Sequence, residues 1–81
     1  MEASNKVVGR EKYAEAAAGI LEYAETRYGL YDLKLVFLEG EDGELDEIQL
    51  FAQNCPYAIR EAMAQEIGEA FSVRASVFSE P

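Results

Sequence analysis

The stretch from Leu30 to Ala52 leaves this chain the least freedom. Leu33, Leu35 and Phe37 alternate with Asp32, Lys34 and Val36, and further on Ile48, Leu50 and Ala52 alternate with Glu47, Gln49 and Phe51. A period of two puts each set on one side of an extended strand. Between the two runs lies Glu39-Gly40-Glu41-Asp42-Gly43-Glu44, and Asp-Gly between alternating segments is a strong hairpin signal. Residues 30–38 and 45–52 are therefore predicted to be two antiparallel strands with one apolar face. A two-stranded ribbon is marginal in water, so something else in the chain must cover that face.

Helical patterns on either side supply the cover. Over residues 10–28 a step of 100° per residue gathers Tyr13, Ala17, Ile20, Leu21, Ala24 and Tyr28 on one face. Glu11, Glu15, Glu22 and Glu25 fall together on the opposite face. The alanines of this segment favour helix, and Gly29 stands where a left-handed C′ residue would end it. A second helix opens at Asn54-Cys55-Pro56, with Asn54 or Cys55 as N-cap and Pro56 at the first helical position. Its stripe is Ile59, Met63, Ile67 and Ala70, with Gly68 weakening the last turn. Residues 71–78 alternate again: Phe71, Val73, Ala75 and Val77 against Ser72, Arg74 and Ser76. That alternation leaves one side of the strand wet.

The predicted class is α+β: one small domain over residues 10–81, ordered α-β-β-α-β, with an antiparallel sheet and two helices on one face. Residues 1–9 are a tail or contain a short edge strand at 6–8. If that strand forms and enters between the two strands joined by the second helix, the order becomes β-α-β-β-α-β and the arrangement is ferredoxin-like. Without it, the order also resembles BolA and KH-type α-β-β-α-β arrangements. Neither likeness implies a function.

Charge narrows the function classes. The chain has 81 residues, with 16 acids against 7 bases, and a net charge of -9. Such a chain repels phosphates, so direct nucleic-acid binding is not expected. It has no His and a single Cys, which removes the common zinc ligand sets and every His-based catalytic triad. No Gly-rich phosphate loop and no nucleophile elbow occurs. No metal, no cofactor and no enzymatic role are expected. No run approaches the roughly 18 apolar residues of a membrane span, and residues 1–10 lack a signal-peptide core. With Cys55 unable to form an internal disulfide, the expected compartment is the cytoplasm.

Two features can still carry chemistry. Cys55-Pro56-Tyr57-Ala58 is similar to the glutaredoxin signature C-P-Y-C, with Ala58 in place of the second Cys. A thiol at a helix start faces oriented amide dipoles that favour thiolate, which makes Cys55 a candidate reactive thiol. Only 23 residues follow Ala58, and the one later proline is Pro81, too little for a glutaredoxin fold. The bland alternative is a helix cap with a small buried residue.

The other feature is acidic. Glu39, Glu41, Asp42, Glu44, Asp46 and Glu47 crowd six carboxylates into nine residues. Their spacing does not follow a calcium loop. With Glu11, Glu15, Glu22 and Glu25 they form a candidate surface for a basic protein partner, as a dilute imitation of the phosphate backbone. The bland alternative is a solvated turn and the wet side of an amphipathic helix. In size and composition the chain resembles phage-encoded DNA-mimic and anti-CRISPR inhibitors. The residues expected to bind are Glu11, Glu15, Glu22, Glu25, Glu39, Glu41, Asp42, Glu44 and Glu47. A homodimer is the rival expectation, because a small domain without staples gains from burying a sheet edge, or an open face carrying Lys34, Val36, Leu38 and Phe51.

Overall fold

The hairpin forms as its alternation dictates. In the computed structural model, which describes residues 6–81, β2 (Lys34–Glu39) and β3 (Leu45–Gln53) pair antiparallel, with Phe37 opposite Ile48 and Leu35 opposite Leu50. The turn between them closes through Gly40 N–H donating to the Glu44 carbonyl at 3.0 Å, with Gly43 at φ 80°. The register slips by one residue after Leu38, so that Glu39 faces Leu45 and Asp46 is the extra residue of a bulge.

Five further elements complete the sheet and its cover. β1 (Lys6–Val8) lies antiparallel on the outer side of β2. A 3₁₀ turn (Arg10–Tyr13) leads into α1 (Ala14–Tyr28). After β3, α2 (Tyr57–Phe71) crosses back and delivers β4 (Arg74–Glu80) parallel to β3. The class is α+β, as expected, and the optional strand at 6–8 forms, so the element order is β-α-β-β-α-β. The sheet is mixed rather than antiparallel, in the order β1-β2-β3-β4. No strand enters between β3 and β4, so the ferredoxin-like arrangement is not formed. The reason is physical. A strand in that position would be covered by the helices, and the three residues of β1 include only one, Val8, that is even half-buried. At the edge its exposed Lys6 and Val7 cost little. Residues 1–5 of the expected tail lie outside the described residues.

Both helices cover the same sheet face. Ala17, Ile20 and Ala24 of α1 and Met63 and Ile67 of α2 share one core with Leu35, Phe37, Ile48, Leu50, Ala52 and Val77. Phe37, Ile48, Leu50 and Met63 are its largest fully buried side chains. The other face stays open and carries a stacked pair, Phe51 and Phe78, with ring centroids 4.9 Å apart.

The element ends depart from expectation where tertiary contacts override local preference. The first turn of the expected helix is 3₁₀, and Tyr13 sits at φ -120°, ψ 42°, outside helical geometry. Its ring is stacked on Phe37 at 5.1 Å, a contact between the helix start and the sheet. At the second helix Pro56, not Asn54 or Cys55, is the capping residue, and its carbonyl accepts from Arg60 N–H at 3.0 Å. Asn54 instead adopts a left-handed φ of 51°, with its N–H given to the Glu80 carbonyl and its side-chain amide to Tyr31. Phe71 belongs to α2 rather than to the last strand.

Gly29 ends α1 as its position predicts. It sits at φ 67°, its N–H donates to Glu25, and the N–H of Leu30 donates to Ala24. A methyl group built there meets nothing within 4 Å, so the whole cost of Gly29→Ala is conformational. That cost is about 1 kcal/mol. Gly19 has equally open surroundings but lies inside α1, so Gly19→Ala should add about 0.5–1 kcal/mol through helix propensity. Urea melts of the two variants are expected to shift in opposite directions. A destabilised Gly19→Ala, or an unchanged Gly29→Ala, would contradict this reading of the helix.

Candidate interaction surface

The acidic hairpin is a rigid tip. Gly43 N–H donates to the Gly40 carbonyl at 3.0 Å, and Glu44 N–H donates to Asp42 Oδ1 at 3.0 Å. An Asx turn of this kind is the reason Asp suits the position. The side chains of Glu41 and Glu44 remain exposed, as does Asp42. The bulge turns Asp46 outward as well.

Glu39 is the exception among the expected surface acids. It is 5 % exposed and points into the core side of β2, as its parity with Leu35 and Phe37 requires. Lys12 Nζ lies 2.6 Å from Glu39 Oε2, and Tyr13 Oη donates to the same oxygen at 2.5 Å. A buried carboxylate stands only when paired and hydrogen-bonded, and here both conditions hold. The hydrogen bonds from Lys12 and Tyr13 hold the Glu39 carboxyl below the usual carboxylate range. The same bond to Glu39 pushes the Lys12 ammonium and the Tyr13 phenol up. Glu39 is therefore a fastening between the helix start and the hairpin, with almost no surface of its own to offer a partner.

This fastening decides which acids share a side. It brings the 3₁₀ turn against the hairpin, close enough for Lys12 to feel the charge of Glu44. Glu11 and Glu15 flank the fastened Lys12 and Tyr13 in the sequence, and with Glu41, Asp42 and Glu44 of the hairpin they are all exposed. Glu22 and Glu25 continue the exposed row along α1, about 10 and 15 Å beyond Glu15 by helix rise. Glu47 does not belong to this group. It is half-buried on the open sheet face, where it accepts from Gln49 Nε2 at 3.2 Å. Lys6 lies opposite Glu39 in the pairing of β1 with β2, so the surface is predominantly rather than purely acidic. Neither ion pair found among the described residues, Lys12–Glu39 and Lys34–Glu80, uses an acid of the tip or of the helix row.

The tyrosines are boundary residues. The hydroxyls of Tyr23 and Tyr28 both donate to Glu66 of α2, at 3.1 and 3.0 Å, and tie the two helices together. Burial, then the bond to Glu66, raises the Tyr28 phenol above its ordinary value. Beside this tie runs a shallow apolar groove of about 350 Å³, lined by Gly19, Ile20, Tyr23, Ile67, Ala70 and Phe71. The sequence pattern puts Ala70 on the buried stripe of α2, whereas it is exposed on the wall of this groove.

Cys55 is buried, and burial pushes its thiol up, against the direction that a helix start favours. Its N–H donates to Ser79 Oγ at 2.8 Å, which fixes it beneath the end of β4. The geometry is that of a small core residue at a strand-to-helix junction. Among the described residues, no three His, Cys, Asp or Glu side chains converge in a way that could hold a metal ion. Among the same residues no helix is long and apolar enough to cross a membrane. No family model, no curated protein and no solved structure gives a match to the chain.

Proposed function

We propose that the chain is a non-enzymatic binding protein that uses its acidic end to engage a basic protein surface. The partner surface is one that otherwise holds nucleic acid, so the chain acts as a cytoplasmic inhibitor in the manner of DNA-mimic and anti-CRISPR proteins. One observation carries the reading: Glu41, Asp42 and Glu44 are exposed on a hydrogen-bonded turn, and the hairpin that bears it is fastened through Glu39 to Lys12, in the segment that also carries exposed Glu11 and Glu15. Carboxylates on a rigid support bind at a lower entropy cost than those on a mobile tail. Lys12, the base that would neutralise them most directly, is engaged by Glu39. Glu22 and Glu25 lengthen the surface along α1.

Association driven this way is fast and falls steeply with salt. The test is a binding screen against purified basic nucleic-acid-binding proteins at about 0.1 and 0.5 M salt, between which the screening length shortens roughly twofold. The double variant Glu41→Lys with Glu44→Lys keeps the Asx turn and reverses the tip. It is expected to weaken the complex by about tenfold or more. Glu61→Lys with Glu69→Lys on α2 serves as the control of equal charge change and is expected to leave binding nearly unchanged. Failure to find any salt-sensitive partner, or equal losses in both variants, would remove the reading.

A further inference from the structure

β4 is the outer strand on the side of the sheet away from β1, and its outer edge has no strand partner among the described residues. It runs for seven residues in unbroken register with β3, from Arg74 to Glu80. Edges of that length are ordinarily blunted by proline, a bulge or a central charge. The sequence Arg-Ala-Ser-Val-Phe-Ser-Glu has none of these. Its two charges stand at its two ends and have opposite signs. Arg74, Ser76, Phe78 and Glu80 share the open sheet face, since Phe78 stacks on Phe51 and strand residues alternate. Phe78 is 40 % exposed there.

We propose that β4 pairs antiparallel with β4 of a second copy, about a two-fold axis at Val77, and that the two sheets join into one. In this register Val77 faces its own symmetry mate and Arg74 lies directly opposite Glu80 of the partner subunit. Opposed residues in an antiparallel pair project from the same face, so each Arg74 meets a carboxylate across the junction, twice per dimer. Ser76 lies opposite the partner's Phe78, and the two Phe78 rings become diagonal neighbours, within reach of each other. A slip of two residues in either direction breaks both charge pairs, which makes the pairing selective for register. Arg74 has no ion-pair partner among the described residues, and Glu80 has only Lys34 at 3.8 Å. The net charge of -9 opposes association elsewhere on the surface, but this edge carries no acid before Glu80. The contact is self-complementary and closed, so it ends at two copies.

Sedimentation equilibrium over a concentration series tests the arrangement on four proteins: the parent chain, Arg74→Glu, Glu80→Arg, and the double exchange. Circular dichroism checks that each is folded. The parent is expected to dimerise. Each single reversal opposes like charges at two sites and should raise the dimer Kd about tenfold. The double exchange restores both pairs and should return Kd to within about threefold of the parent. A parent that stays monomeric at about millimolar concentration overturns the proposal, leaving the edge free for a strand of another protein. So does a dimer whose Kd ignores the single reversals, or one that the exchange fails to rescue. None of these results bears on the acidic end, because neither Arg74 nor Glu80 belongs to it.

Discussion

Phe37→Ala is expected to remove a large share of the chain's stability at 25 °C, about 3–5 kcal/mol. Phe37 is fully buried at the centre of β2, between Val8 on one neighbouring strand and Ile48 on the other. Truncating a buried Phe to Ala costs about 3–5 kcal/mol, since the lost transfer energy is joined by that of the cavity left behind. A domain of 81 residues has about 4–12 kcal/mol to lose, at roughly 0.05–0.15 kcal/mol per residue. The same substitution removes the surface on which Tyr13 stacks, so the start of α1 should loosen with it. Urea unfolding followed by circular dichroism provides the measurement. Phe37→Leu keeps most of the volume and should lose under about 1.5 kcal/mol. If the alanine variant melts within about 1 kcal/mol of the parent, the core is not organised around this ring.

Glu39→Gln is the second large effect, and its signature is in the pH dependence. At pH 7 the variant loses a charged acceptor that serves Lys12 and Tyr13 together, and its Tm should fall by about 5–10 °C. In the folded chain the Glu39 carboxyl is held below its ordinary value by Lys12 and then by Tyr13. In the unfolded chain it titrates near the ordinary value of about 4.3. As pH falls, the unfolded state therefore takes up the proton first. The stabilisation is complete above the unfolded value, declines below it, and is gone once the pH has passed through the lower folded value. The gap in Tm between parent and variant should thus be wide at pH 7 and close toward pH 3. A gap of constant width would show that Glu39 acts through its shape and not its charge. At the alkaline end the sign is opposite: the Lys12 and Tyr13 values are raised, so their contribution is present at neutral pH and is lost as pH climbs through them.

The faces of the elements were legible because burial and periodicity have a common cause. Leu35 and Phe37, Ile48 and Leu50, Ala17 and Ala24 all point inward, as their spacing requires. Gly29 was legible for a different reason, since a left-handed residue at a helix end is nearly its own signature. Neighbour relations between strands were not, because periodicity says which way a strand faces and nothing about what lies beside it. The direct parallel pairing of β3 with β4 is of that kind. At the acidic end, a run of carboxylates at a turn reads as solvated, and that average hid Glu39. Two signals could have found it: Glu39 has the parity of Leu35 and Phe37, and Tyr13 sits on the inward stripe of the helical pattern with Lys12 next to it. Their meeting needs the hairpin and helix start to be adjacent, a tertiary fact.

The bulge after Leu38 keeps the two ends of the hairpin independent. With regular pairing continued, Glu39 would stand opposite Asp46, and two carboxylates would be turned toward the core side by side. The extra residue puts Leu45 there instead and sends Asp46 outward. It acts as a phase shifter: the core beyond it keeps its own count of residues, whatever happens at the turn. The tip can gain, lose or exchange residues without moving Phe37 or Ile48 to the wrong face. A lineage under pressure to change what it touches could therefore rewrite the tip while inheriting the core unaltered.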